Sequence, residues 1–215
     1  AVELSGGRKE VAFIDASLDD YRILVDNIRE GVEIVILDSD GEAIAQMAAW
    51  AVGSAGYDAI HVVSHGDEGR VQLGNTVLDS DTVHARADEL LAVAAALGGS
   101  GQMLFYGCNV GRGAAGEAFI DHLAATMQVP VAASRTPTGP RELGGDWSLD
   151  AGAPIGIAPL FADDWSVYGH LLPIPIVRDA AGNIWVRPGS TSYSLTFGEG
   201  VSPADSGTRV LPTMT

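Results

Sequence analysis

Cysteine is almost missing from this chain: Cys108 is the one example in 215 residues. No internal disulfide can form and no Cys-based zinc cluster can be built, so cysteine usage leaves the compartment open. Basic residues are also few. Lys and Arg number 12 against 28 Asp and Glu, a formal charge of -16, which repels nucleic acid and anionic membrane surfaces and excludes them as expected partners. The acidic surplus reads first as a solvated surface that resists aggregation. No apolar run approaches the roughly 18 residues of a membrane-spanning helix, so no membrane span is expected. The opening residues lack a basic-then-apolar leader pattern, and any targeting segment is expected to have been removed or to lie elsewhere. What is present, 47% hydrophobic and 19% charged residues, suits one globular α/β domain with or without an appendage and excludes disorder as the main state.

Between Val11 and Ser134, short β-branched runs alternate with alanine-rich stretches, as in a mostly parallel sheet covered by helices on both faces. Strands are predicted at 11–15, 32–37, 59–64, 103–106 and 129–133, and helices at about 18–28, 42–52, 81–97 and 114–127. The run His65-Gly66-Asp67-Glu68-Gly69 reads as a loop. Val71-Gln72-Leu73 and Thr76-Val77-Leu78 read as a hairpin about Gly74-Asn75. After Ser134 a Pro- and Gly-rich loop leads into short strands to about Tyr168, where Trp147, Leu149, Ile155, Ile157, Trp165 and Val167 need a core to bury in. The expected domains are 1–168, and a β-rich extension or linker at 169–215 with strands at 174–177, 184–186 and 193–197.

In an open parallel sheet, chemistry collects in the loops beyond the carboxyl ends of the strands. His65 and Cys108 fall there, after the third and fourth strand candidates, and consecutive strands are usually neighbours. The two side chains are thus expected in one cleft, at hydrogen-bonding range or a little more. A thiol beside a histidine can lose its proton near neutral pH and attack a carbonyl, with the imidazole protonating the departing amine. The backbone N–H groups of Gly66 and Cys108 are placed to receive the developing oxyanion. Glycine at 66 lets the backbone come close to substrate, and Gly107 relieves crowding at the nucleophile.

Ile60-His61-Val62-Val63-Ser64-His65-Gly66, followed by Met103-Leu104-Phe105-Tyr106-Gly107-Cys108, resembles the His-Gly and strand-then-Cys boxes of the caspase-like cysteine peptidases. That group, with its flavodoxin-like sheet, includes caspases, gingipains, legumain and the self-processing domains of large bacterial toxins. The span from Val11 to about Trp147, with Leu73-Gly74 and Leu143-Gly144-Gly145-Asp146-Trp147, is similar to a domain found near the amino terminus of very long bacterial surface adhesins and calcium-binding repeat proteins. The resemblance implies His65 and Cys108 as a catalytic dyad, with the N–H groups of Gly66 and Cys108 as the oxyanion hole. It implies a secreted or bacterial cell-surface location. The caspase Gln-Ala-Cys-x-Gly signature is replaced by Tyr106-Gly107-Cys108-Asn109-Val110, so the Asp specificity of caspases does not carry over.

Other polar residues have two readings each. Asp15, Asp38 and Asp40 fall at strand ends, where they could form an acidic pocket selecting Arg or Lys or bind calcium; helix capping explains Asp38 and Asp40 as well. Trp147 could line the substrate cleft or pack in the core. His61 reads as a hydrogen-bonded core histidine, His84 and His122 as surface residues, and His170 has no assigned role. The expected function is a cysteine endopeptidase acting on polypeptide, its own chain included, for example at the tail after Tyr168. The chemistry requires no cofactor and no metal is assigned, with calcium a candidate activator. The rival is a non-catalytic amino-terminal module that aids export or assembly of an adhesin, with Cys108 a buried structural thiol. A nucleotide-binding flavodoxin-like domain is disfavoured, because no strand end carries a Gly-rich phosphate loop.

Overall fold

The computed structural model describes residues 7–161, 165 and 167–173, together with the backbone of 176–178 and 184–186. Side chains alternate across a strand, and β1 (Glu10–Asp15) uses both of its faces: Val11 and Phe13 enter one apolar layer, Ala12 and Ile14 another. β3 (Tyr57–Val63) and β7 (Leu97–Tyr106) divide their residues in the same way, Ile60, Val62, Met103 and Phe105 against Ala59, Val63, Leu104 and Tyr106. Their near-continuous apolar runs follow from burial on both sides.

These strands belong to a six-stranded sheet, ordered β2-β1-β3-β7-β8-β9, in which β2 is Val32–Leu37, β8 Val131–Ala133 and β9 Ala151–Gly152. All pairs are parallel except β8 with β9. The protein is therefore mixed α/β, with a mostly parallel sheet flanked by helices. Residues of α2 (Ala43–Ala51), α3 (Ala87–Ala94) and α4 (Gly113–Met127) fill one layer; Leu24 of α1 (Tyr21–Asn27) with Trp147, Leu160, Phe161, Tyr168 and Leu172 fill the other.

Several predicted elements differ, among them the fourth strand, which begins at Leu97 and not Met103, so that the third helix ends at Ala94. The loop at His65 is β4 (His65–Asp67), paired antiparallel with β5 (Arg70–Leu73), which pairs in turn with β6 (Thr76–Asp79). Gly69, at φ +73°, makes the tight turn between the first two. The third helix starts late, after a 3₁₀ turn at His84–Arg86, because the Asp79 carboxylate accepts bonds from the Asp81 and Thr82 backbone N–H groups and holds the chain in a turn. The residues on either side of β9 pack over a sheet face and do not extend its edge: Trp147 is buried, Leu149, Ile155, Ile157 and Trp165 are partly so, and Val167 is 64% exposed. Among the described residues no helix is long and apolar enough to cross a membrane. β10 (Ile176–Arg178) and β11 (Ile184–Val186) pair antiparallel; the predicted strand at 193–197 lies outside the described residues.

His61 lies inside this sheet, fully buried, with Nε2 2.9 Å from the Glu10 carboxylate and its ring stacked on Tyr106. Burial pushes His61 below its ordinary value of 6.5, outweighing Glu10, and Arg29 adds to the fall. Burial likewise pushes His65 down. The unfolded chain therefore binds protons at these histidines that the native state refuses, so stability is present above pH 6.5 and is lost as pH falls below it. Glu10 is held below 4.5 although burial alone would raise it, because His61 and Arg29 outweigh burial, and its contribution fades only at lower pH. Thermal melts from pH 8 to 5 should show the midpoint falling before the carboxylates titrate; a flat midpoint across that window would refute this account.

Candidate active site

Val63 of β3 and Tyr106 of β7 are paired neighbours, and the Ser64 N–H extends the pairing to the Tyr106 carbonyl at 3.0 Å. His65 and Cys108 each lie two residues further on, so adjacent parallel strands deliver both to the carboxyl edge of the sheet. The backbones beyond these strands touch. A Cβ on Gly66 would sit 2.7 Å from the Gly107 carbonyl carbon, 2.9 Å from the Cys108 nitrogen and 2.6 Å from Val110 Cγ2. A Cβ on Gly107 would lie 3.1 Å from the Gly66 Cα. Glycine is required at 66 for the close approach, which brings two N–H groups together.

Those groups share one acceptor. Gly66 N–H and Cys108 N–H donate to the Leu172 carbonyl oxygen at 2.8 and 3.3 Å. Leu172 N–H in turn donates to the Thr138 carbonyl at 3.1 Å, and Pro173 bridges to Gly66. Leu172 is thus held through both its N–H and its carbonyl.

Cys108 is 1% exposed. Its Sγ accepts from the Thr138 N–H at 3.1 Å and faces the Thr138 carbonyl at 3.6 Å. The His65 ring has a buried Nδ1 with no hydrogen-bond partner among the described residues. Burial lowers its pKa, opposed by the Asp15 carboxylate, the Pro173 carbonyl, Asp19 and the Ser17 carbonyl. Neutral imidazole able to take up a proton is the resulting state.

The other candidates fall as follows. The Asp15 carboxylate is buried and committed to two N–H groups, Ser17 and Gly74, each at 2.8 Å, and it acts on His65 through space. Asp38 is exposed after β2, an edge strand with β1 between it and β3, and its carboxylate accepts from the Asp40 N–H. Trp147 is buried in the same apolar layer as Cys108 and Leu172. His84 and His122 are exposed, with ring centroids 5.9 Å apart, and His170 lies 3.0 Å from the Asp20 carboxylate. Thr138 and Leu172 were missed by sequence reasoning. Both act through backbone atoms, which leave no side-chain signal; the apolar pair before Pro173 was the one available hint.

Gly66→Ala is expected to cost about 2 kcal/mol, because its nearest would-be neighbours are mostly backbone and cannot swing away. That corresponds to a fall of about 4–8 °C in melting temperature for a domain of this size. Gly99→Ala, with open space around it, is the control. Equal melting of the two variants would show that the strand ends are not in the contact described.

A family model described as a domain of unknown function (DUF4347) matches residues 11–171. No curated protein and no solved structure matches the chain.

Proposed function

The chain belongs to the DUF4347 family, and from that premise we propose that it is a cysteine endopeptidase of the caspase-like kind, with Cys108 as nucleophile and His65 as proton-transfer partner. One observation carries the reading: two N–H groups at adjacent strand ends converge on a single peptide carbonyl, the arrangement that stabilises the oxyanion of acyl transfer.

In the reaction, neutral His65 takes the Cys108 thiol proton, the sulfur adds to the carbonyl carbon, and negative charge collects on the oxygen between the Gly66 and Cys108 N–H groups. The C–N bond then breaks as protonated His65 gives its proton to the leaving nitrogen. Neutral His65 next takes a proton from water, which hydrolyses the thioester and frees Cys108. The substrate class is polypeptide, the chain itself included. A secreted or cell-surface location and activation by calcium belong to the same reading.

The structural-module reading is favoured by a different observation, the nearly complete burial of Cys108 and the engagement of its sulfur by Thr138. Peptide-library hydrolysis separates the two. Cleavage by the wild type, with or without calcium, that disappears in Cys108→Ala supports the peptidase; an inert protein whose native thiol ignores iodoacetamide, even after the cleft is opened, supports the module.

A further inference from the structure

The peptide held in the cleft is the chain's own. We propose, resting on the peptidase reading of the same site, that residues 171–173 form a resident strap bound as a substrate would be, and that the cleft selects leucine before the scissile bond. Pro173 keeps the strap from being cut.

Binding of an extended peptide divides into main-chain hydrogen bonds, which give affinity, and side-chain pockets, which give specificity. Leu172 shows both. Its N–H and carbonyl are fully engaged by Thr138, Gly66 and Cys108, and its side chain is 0% exposed within the layer that holds Cys108, Trp147, Phe161 and Tyr168. A charged residue there would be buried among apolar groups without a partner, at a cost of several kcal/mol. Asp15, the nearest candidate for an acidic pocket, already serves two backbone N–H groups.

The chain leading to Leu172 is fixed to the loop between β1 and α1. Tyr168 Oη donates to the Asp19 carbonyl at 2.9 Å, and the His170 imidazole meets the Asp20 carboxylate. The bed beneath it is glycine: a Cβ on Gly139 would lie 2.8 Å from the His170 carbonyl oxygen, and one on Gly145 would lie 2.8 Å from Leu171 Cδ2.

Cleavage after Leu172 would require His65 to protonate the Pro173 nitrogen. The proton is accepted on the nitrogen lone pair, which the proline ring crowds, and it is the Pro173 carbonyl that lies by the imidazole. The bond is presented to the oxyanion hole and withheld from the acid.

The test uses the full chain in four forms: wild type, Leu172→Asp, Pro173→Ala and Cys108→Ala/Pro173→Ala. Intact mass reports cutting after residue 172, native iodoacetamide labelling reports access to Cys108, and peptides carrying Leu, Arg or Asp before the scissile bond report specificity. The wild type is expected to stay intact and label slowly. Leu172→Asp should label about tenfold faster or more, since access scales with the open fraction, and should prefer the Leu peptide. Pro173→Ala should be cut after residue 172, and the double variant should not. Should Leu172→Asp fail to fold, Pro173→Ala still decides the outcome, because it leaves the buried leucine in place.

Cutting of the wild type after residue 172, or equal labelling of wild type and Leu172→Asp alongside Cys108-dependent peptide hydrolysis, overturns the strap and leaves the peptidase standing. Fast labelling of Leu172→Asp with no hydrolysis of any peptide or of Pro173→Ala overturns the peptidase reading instead. Preference for the Arg or Asp peptide overturns the leucine assignment.

Discussion

Cys108→Ala is expected to fold as the wild type does and, with the strap displaced by Leu172→Asp in both chains, to lose peptide hydrolysis by about 10⁴-fold or more. Removing a nucleophile takes away the covalent step on which its partners act, so His65 and the two N–H donors can contribute little alone. The stability cost should be small. Deleting one buried sulfur leaves a cavity worth about 1 kcal/mol, and the Thr138 N–H loses a weak acceptor. The contrast between a fall in melting of only about 2–4 °C and lost turnover separates a nucleophile from a structural thiol. Hydrolysis that persists in Cys108→Ala would end the peptidase reading.

The largest stability effect is expected at Glu10, far from the chemistry. Glu10 Oε2 receives both the fully buried His61 ring, at 2.9 Å, and the Arg29 guanidinium. Arg29 also donates from Nε to the Pro159 carbonyl at 3.0 Å, and its backbone N–H reaches the Leu160 carbonyl at 3.3 Å. The cluster therefore ties β1 and β3 to the segment whose Leu160 and Phe161 join the layer around Leu172. Glu10→Ala would leave a buried imidazole nitrogen unsatisfied and a cation without its carboxylate, a loss of about 3–5 kcal/mol for a buried pair broken from one side. Arg29 is 20% exposed and can regain some hydration, so the lower end is expected, near 3 kcal/mol, or a drop of about 6–12 °C. Glu10→Gln, which keeps an acceptor, should fall between. A Glu10→Ala variant melting within about a degree of wild type would show that the buried cluster adds no net stability.

The fold was readable where side chains carried it. Runs such as Val11–Ile14 and Ile60–Val63 are apolar on consecutive positions because the sheet is covered on both faces, and that pattern places five parallel strands without further help. Strand order then puts His65 and Cys108 at adjacent ends. Element edges were less readable: β4 exists because β5 pairs with it, and the late start of α3 depends on the Asp79 turn. Pairing partners and side-chain caps act locally but are chosen by tertiary contacts.

By itself the sequence determined the parallel α/β sheet and the position of one thiol and one imidazole at its carboxyl edge, because apolar periodicity and strand neighbourhood are properties of short segments. Only the tertiary structure decided what lies between them. The acceptor shared by Gly66 and Cys108, the clamp from Thr138 and the burial of Leu172 are backbone hydrogen bonds and packing between segments distant along the chain. Every residue carries the same N–H and carbonyl, so no pattern of residue types could have marked these.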